Sequence, residues 1–115
     1  AGPYMATYYA TKSYVTSLTR AVALELKEKK SNVYVGALCP GPVDTEFNKV
    51  ANVEFAIPSI TPTYCASYAI RKMEKRKIVI IPKNKMKVLA FISRVLPQSL
   101  VIRMTARQQK KKRNW

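Results

Sequence analysis

Residues 8–45, YYATKSYVTSLTRAVALELKEKKSNVYVGALCPGPVDT, hold the pattern that decides the fold. The first part has no Gly or Pro and is rich in Ala, Leu, Glu and Lys, which predicts a helix over residues 7–29. Apolar side chains recur along it at helical spacing, and Leu18 and Leu24 lie off the main stripe, so we expect this helix to bury more than one side. The apolar run VYVGAL at 33–38 predicts a buried strand of a parallel sheet, which CPGP at 39–42 ends.

A second helix and strand follow a segment without a clear period. Residues 43–62 predict a loop with a short helical turn, of the kind that covers a ligand. Thr61 and Pro62 predict a helix start with Thr61 as the N-cap, and we expect that helix to reach about Lys75. The run IVII at 78–81 predicts a second buried strand. A strand, a crossover helix and a strand form a βαβ unit, so the sequence indicates an α/β layered fold.

The chain is strongly basic. Its formal charge is +15, from 21 Lys and Arg against 6 Asp and Glu, which indicates nucleic acid, an anionic membrane surface or an anionic cofactor as a partner. The basic runs at 27–30 and 71–77 suit the negative end of a helix dipole, and we interpret the run at 107–113 as a solvated tail. Because the aromatic residues do not interleave with the basic runs, no nucleic-acid partner is expected.

Histidine is absent, and the two cysteines, Cys39 and Cys65, lie far apart in the sequence. The absence of histidine excludes Ser–His–Asp and Cys–His catalysis within these residues. Two cysteines cannot fill a zinc site by themselves, so no metal site is expected. Since nothing suggests a disulfide framework, we expect a reducing, cytoplasmic location.

The first motif with chemical meaning is YYATK at 8–12. A spacing of four places Tyr8 and Lys12 one turn apart on the same helix face. A free phenol is a poor base at neutral pH because its pKa is about 10, and a neighbouring ammonium group stabilises the phenolate. Such a pair can exchange a proton with an alcohol or an alkoxide. The alternative is a tyrosine packed beside a lysine that reaches towards solvent.

The second motif, CPGPVDT at 39–45, stands at the carboxyl end of the first predicted strand. Ligands of open α/β sheets bind in the crevice at that end. Gly41 permits a close backbone approach, the Val43 backbone N–H and the Thr45 hydroxyl are candidate donors to a ligand, and the prolines stiffen the turn. The alternative is a plain turn that ends a strand.

Together, in this order and with this spacing, the two motifs resemble the short-chain dehydrogenase/reductase family. In that family YxxxK opens the long helix before the sixth strand, and PGxVxT follows that strand. The resemblance extends from Ala1 to about Lys83. It implies the C-terminal portion of a Rossmann-like, doubly wound parallel sheet, with a long catalytic helix, two parallel strands, a crossover helix and C-terminal amphipathic helices.

The resemblance also implies an oxidoreductase that transfers a hydride between NAD(P)(H) and a carbonyl or alcohol substrate. Tyr8 would be the general acid/base, and Lys12 would bind the nicotinamide ribose and assist Tyr8. The cofactor would be NAD or NADP, with NADP slightly favoured, and the small-molecule substrate would be apolar and lie near Tyr4 and Met5. The nicotinamide pocket would be lined by Pro40, Gly41, Val43 and Thr45. The mobile substrate lid would contain Phe47, Val50 and Phe55.

Three parts of the family pattern are missing from this sequence: the glycine-rich phosphate loop, the NAG segment and a catalytic Ser ahead of Tyr8. We therefore expect a piece of a longer protein that is inactive alone and that forms homo-oligomers at full length. We predict that residues 1–85 are the C-terminal half of an NAD(P)-binding domain. Residues 86–115 are predicted to form an amphipathic, basic C-terminal extension.

The apolar block at 86–106 is interrupted by Arg94, Pro97 and Arg103, which predicts two short amphipathic helices hinged at Pro97. Together with the basic residues that follow, it supports an alternative function. In that alternative the chain is a membrane-surface module without catalytic activity, held peripherally through residues 86–113. The other reading is that this block packs against the sheet or against a sister subunit.

Overall fold

The structure is a computed structural model that describes residues 1–46 and 58–112. Within these ranges, four helices and two short strands alternate along the chain. In chain order they are α1 (Ala6–Glu28), β1 (Ala37–Leu38), α2 (Pro62–Glu74), β2 (Val79–Ile80), α3 (Asn84–Val95) and α4 (Gln98–Lys112). The α/β order predicted from the sequence is thus confirmed.

The two strands form a parallel pair with α2 as the connection between them. Ala37 faces Val79 and Leu38 faces Ile80. The backbone N–H of Ala37 donates to the Ile78 carbonyl at 2.7 Å, and that of Cys39 donates to the Ile80 carbonyl at 2.8 Å. These contacts confirm the predicted βαβ unit with a parallel sheet. The larger doubly wound sheet stays a prediction, because two strands do not specify it.

β1 is shorter and less buried than predicted. The expected strand covered 33–38, but only its last two residues pair with β2. The Arg76 guanidinium donates to the Asn32 and Val33 carbonyls at 3.2 and 3.3 Å, so a side chain occupies backbone acceptors that a longer strand would use in its ladder. Val33 is 60% exposed, and the prediction of a buried strand is wrong there.

Helix α1 begins and ends close to the predicted bounds, but it buries none of its residues. Leu18 and Leu24 are 49% and 56% exposed, so the expectation that α1 buries more than one side is wrong among the described residues.

The carboxyl end of α1 is closed by Lys30, which follows the C-cap with a φ of +53°. The Ser31 and Lys30 amides return to the Leu26 and Lys27 carbonyls, which is the Schellman pattern.

Helix α2 starts where the sequence predicted. The Thr61 side chain accepts a hydrogen bond from the Tyr64 amide at 3.2 Å, and Pro62 occupies the first turn. α2 packs on β2. The buried apolar residues of the described ranges lie in and beside this unit and are few: Ile60, Cys65 and Ile80.

Helices α3 and α4 meet at Pro97, as predicted. Leu96 is extended, with a ψ of 150°, as expected for a residue that precedes proline. Helix α4 continues through Lys112, so the described part of the basic run is helical, and Arg107, Lys110 and Lys111 in it are exposed, as expected of a solvated run. Gln109 is only 4% exposed, and burial lowers the pKa of Lys112 from its ordinary value. No helix in the described ranges is both long and apolar enough to cross a bilayer.

Candidate functional site

Tyr8 and Lys12 lie side by side on the first three turns of α1. The Lys12 ammonium nitrogen is 5.5 Å from the centroid of the Tyr8 ring, within the range of a cation–π contact. Tyr8 is 53% exposed, so its side chain is not enclosed by the rest of the described residues. The helix holds this pair in place because residues four apart share one face, and the Thr11 hydroxyl also donates to the Tyr8 carbonyl at 2.9 Å.

Tyr9 forms the next layer around Tyr8. The two rings meet edge to face, with centroids 6.0 Å apart and planes inclined at 78°, a favoured aromatic geometry. The buried Gln109 amide of α4 donates to the Tyr9 hydroxyl at 2.6 Å. On its other side Tyr9 lies against Gly2, where an added Cβ would clash with the ring. The Tyr9 ring is therefore held between the two ends of the chain.

A further basic contact comes from α4. The Lys110 ammonium lies 5.5 Å from the centroid of the Tyr4 ring, and Tyr4 has a φ of +69°. Tyr4 immediately precedes the turn that starts α1. Helix α4 thus brings positive charge to the same end of α1 that carries Tyr8.

The second motif forms a turn at the carboxyl end of β1, as its position in the sequence predicted. Gly41 has a φ of +67°, a conformation that glycine adopts more readily than other residues. An added Cβ there would lie 3.2 Å from the Met86 side chain, so α3 packs directly on this turn. The Ile60 amide donates to the Pro42 carbonyl at 3.0 Å, and the Asp44 amide donates to the Ile60 carbonyl at 2.8 Å.

The predicted site residues therefore fall into two groups. Tyr8 and Lys12 are brought together on α1, while Pro40, Gly41 and Val43 lie together in the turn after β1. Pro40 and Val43 are partly buried, whereas Thr45 is exposed. The recorded contacts of Tyr8 lie within α1, and those of Gly41 lead to α3. The predicted lid residues, Phe47, Val50 and Phe55, lie outside the described residues.

The sequence alone did not single out Tyr9, Met86 or Gln109 as neighbours of the two motifs. Tyr9 and Gln109 are 100 positions apart, and neither belongs to a recognisable motif. Met86 follows the second strand and the proline that ends it, a position that does not indicate its partner. Only the tertiary structure shows which turn it contacts.

A groove of about 650 Å³ lies at the amino end of β1, formed by the end of α1 and residues 31–35 together with Arg76 and Ile78. It is at the opposite end of the strand from Gly41. Ligands of parallel sheets bind beyond the carboxyl ends of the strands, so we do not assign the site to this groove. In the described ranges no group of three side chains with the chemistry of metal ligands comes together.

Comparison with known proteins finds a match to the part of the chain that contains both motifs. Residues 1–54 match the model of a family described as short chain dehydrogenase. This segment is similar to the short-chain dehydrogenase family. The match includes Tyr8, Lys12 and the Gly41 turn, but it ends before α2, although the resemblance was expected to reach about Lys83. No curated protein and no solved structure matches the chain significantly.

Members of the short-chain dehydrogenase family generally use NAD(P), and the donors present fit one end of that cofactor. The exposed Lys12 ammonium has three N–H donors suited to ribose hydroxyls, and the Gly41 turn offers a backbone without a side chain of its own. Both features suit the nicotinamide and its ribose. In the short-chain dehydrogenase segment the residues that would hold that end are Tyr8, Lys12, Pro40, Gly41, Val43 and Thr45.

Proposed function

We propose that this chain is the part of an NAD(P)-dependent oxidoreductase that handles the proton during interconversion of a carbonyl and an alcohol. The observation that supports the proposal is the Lys12 ammonium 5.5 Å from the Tyr8 ring, within the segment that matches the family. The spacing of four places an ammonium group beside a phenol, which is a group that can exchange a proton with a reactant.

The bound cofactor would accept or donate the hydride. The residues of this chain would transfer the proton and position the cofactor. In the direction of oxidation the Tyr8 hydroxyl, as phenolate, takes the proton of the substrate alcohol; in the direction of reduction it gives that proton to the developing alkoxide. Lys12 steadies the phenolate and positions the ribose. The Gly41 turn and its prolines keep the adjoining backbone rigid.

A conservative substitution tests this proposal. Tyr8→Phe should lower kcat by roughly 10²–10⁴-fold, the typical contribution of a general acid/base, and leave the far-UV circular dichroism unchanged because the exposed hydroxyl is removed without loss of the ring. The assay uses the natural polypeptide that contains this sequence, with NAD(P)H consumption followed at 340 nm.

Tyr14→Phe is the matched control, since Tyr14 lies on the same helix and is 67% exposed. It should retain full turnover. Survival of most activity in Tyr8→Phe, or an equal loss in the control, would contradict the assignment of Tyr8. Lys12→Met should weaken binding of the cofactor as well as turnover, because it removes the donor to the ribose.

A second candidate function is contact with an anionic membrane surface through α3, and a specific observation favours it. Val88, Phe91 and Val95 are 56%, 68% and 68% exposed, and their spacing places them on one face of the helix. The only acidic residue after Glu54 is Glu74, so the helices that carry this apolar face bear positive charge without compensation. Such a face suits the interface of an anionic bilayer.

Vesicle co-sedimentation tests this candidate with the full chain. Each apolar side chain contributes roughly 1.5–3 kcal/mol on full burial, so the double variant Phe91→Ser, Val95→Ser should bind phosphatidylserine-containing vesicles about 100-fold or more weakly. The control Leu18→Ser, Leu24→Ser removes comparably exposed apolar residues from α1 and should bind normally. Equal loss in both double variants, or equal binding to vesicles without phosphatidylserine, would contradict a docking role for α3.

A further inference from the structure

A small basic cavity lies between α2, β2 and the first turn of α3. Its volume is about 90 Å³, enough for a small anion, since a water molecule occupies about 30 Å³ in the liquid. The cavity is lined by β2 and by four polar residues, namely Tyr68, Lys72, Lys77 and Lys87. Three of these four are lysines, and no acidic residue is among the lining residues.

The positive groups converge on one phenol. The Lys87 ammonium donates to the Tyr68 hydroxyl oxygen at 2.9 Å and lies 5.6 Å from the ring centroid. The Lys72 ammonium is 5.3 Å and the Arg71 guanidinium carbon 5.8 Å from the same centroid. Each cation gains from the ring, but the cations repel one another, and this repulsion is relieved most directly by a bound anion.

The dipoles of the helices do not explain this arrangement. Lys72 lies in the last turn of α2, where a cation is favourable. Lys87 lies in the first turn of α3, which contains no acidic residue, and a cation there faces the positive end of the dipole. Lys87 is thus held close to two other cations, Lys72 and Arg71, at an unfavourable helix position. This arrangement favours binding of an anion from outside the chain.

We propose that this cavity binds a phosphate-type anion between Lys72, Lys77 and Lys87. Because the Tyr68 oxygen accepts from Lys87, its own O–H is free to donate to the anion. The surroundings already favour negative charge at this point: the hydrogen bond from Lys87, and then the charges of Lys87, Lys72 and Arg71, lower the pKa of Tyr68 although desolvation acts in the opposite direction.

The site lies on α2, β2 and α3, beyond the segment that matches the dehydrogenase family, so it is separate from the proposed catalytic residues. The phosphate group can belong to a soluble molecule or to a lipid headgroup. The chemistry of recognition is the same in both cases: ammonium and phenol donors directed at phosphate oxygens.

Titration of the full chain with inorganic phosphate tests the proposal, with chloride added to keep the ionic strength constant. Backbone amide chemical shifts of α2 and β2 report occupancy and its location. We expect saturable shifts centred on Val79 and Ile80. Lys72→Met and Lys87→Met should each weaken binding about tenfold, since a hydrogen bond to a charged group contributes on that scale.

Lys85→Met is the matched control, because Lys85 lies in the same first turn of α3, is exposed and does not line the cavity. It should change the affinity less than twofold. Phosphatidylcholine vesicles with and without phosphatidic acid form the second arm. Binding only to phosphatidic acid vesicles, lost in Lys72→Met and Lys87→Met but kept in Lys85→Met, supports the site with a lipid as the source of the phosphate.

Two results overturn the proposal. One is the absence of saturable binding to both inorganic phosphate and phosphatidic acid vesicles. The other is an equal loss in all three lysine variants, which means that net charge alone attracts the anion. Circular dichroism of each variant checks that the fold is retained, and Tyr68→Phe gives an independent reading because it removes the phenol donor without changing the charge.

Discussion

Gln109 is the residue whose replacement tests the arrangement of the two chain ends most directly. Its amide donates to the Tyr9 hydroxyl at 2.6 Å, and its side chain is 4% exposed. The contact joins α4 to α1 across nearly the whole sequence. If α4 packs as the structure describes, Gln109→Ala should destabilise the fold and loosen the ring that lies against Tyr8.

The magnitude follows from the type of contact. A neutral hydrogen bond contributes about 0.5–1.5 kcal/mol net to stability, and truncation of a buried side chain to Ala adds the loss of its packing. We expect a decrease of about 1–2 kcal/mol in the free energy of unfolding. This loss matters here, because few apolar residues in the described ranges are buried, among them Ile60, Cys65 and Ile80.

Urea unfolding followed by circular dichroism at 222 nm measures the effect, and the neighbouring residue supplies the control. Gln108 has the same side chain but is exposed, so Gln108→Ala should change stability by less than about 0.5 kcal/mol. A double-mutant cycle of Gln109→Ala with Tyr9→Phe should give a coupling energy of about 1 kcal/mol. Equal effects of the two glutamine variants, or a coupling near zero, would refute the packing of α4 against α1.

Three further predictions concern the helix ends and the basic cavity. Thr61→Ala removes the side-chain cap of α2 and should lower the free energy of unfolding by about 1 kcal/mol in urea titrations. Lys30→Gly relieves a positive φ and should raise the free energy of unfolding by about 1 kcal/mol. Lys29→Gly, at a φ of −76°, should not raise it, and the same change in both variants would contradict strain at Lys30. The folded-state pKa of the Tyr68 phenol is lowered, so phenolate absorbance at 295 nm should appear at lower pH than in Lys87→Met. The associated stability is present above the unfolded pKa and is lost as the pH falls through the folded pKa; identical titrations of the two proteins would contradict the role of Lys87.

The local structure could be predicted from the sequence because it depends on neighbours along the chain. The bounds of α1, the Thr61 cap with Pro62, and the break at Pro97 all follow from residue propensities and from backbone groups that need partners nearby. The same holds for the placement of Lys12 beside Tyr8, since a spacing of four on a helix fixes it. The roles of these two residues in catalysis stay predictions.

The sequence was less informative where distant residues compete for the same groups. The strand expected at 33–38 is limited to its last two residues, and Arg76 binds the carbonyls of Asn32 and Val33 ahead of it. The basic run expected to be a solvated tail is helical up to Lys112, and within it Gln109 is buried and bonded to Tyr9. No periodicity or motif encodes either contact.

The order of helix and strand, the residues of the Tyr8 pair and the Gly41 turn were thus determined by the sequence itself, through propensities and spacing that act over a few residues. The tertiary structure alone decided that Met86 lies on Gly41, that α4 returns to the start of α1, and that Lys72 and Lys87 meet at Tyr68. The physical reason is that such contacts depend on how elements pack in space, where residues that are far apart in the chain share hydrogen bonds, volume and charge.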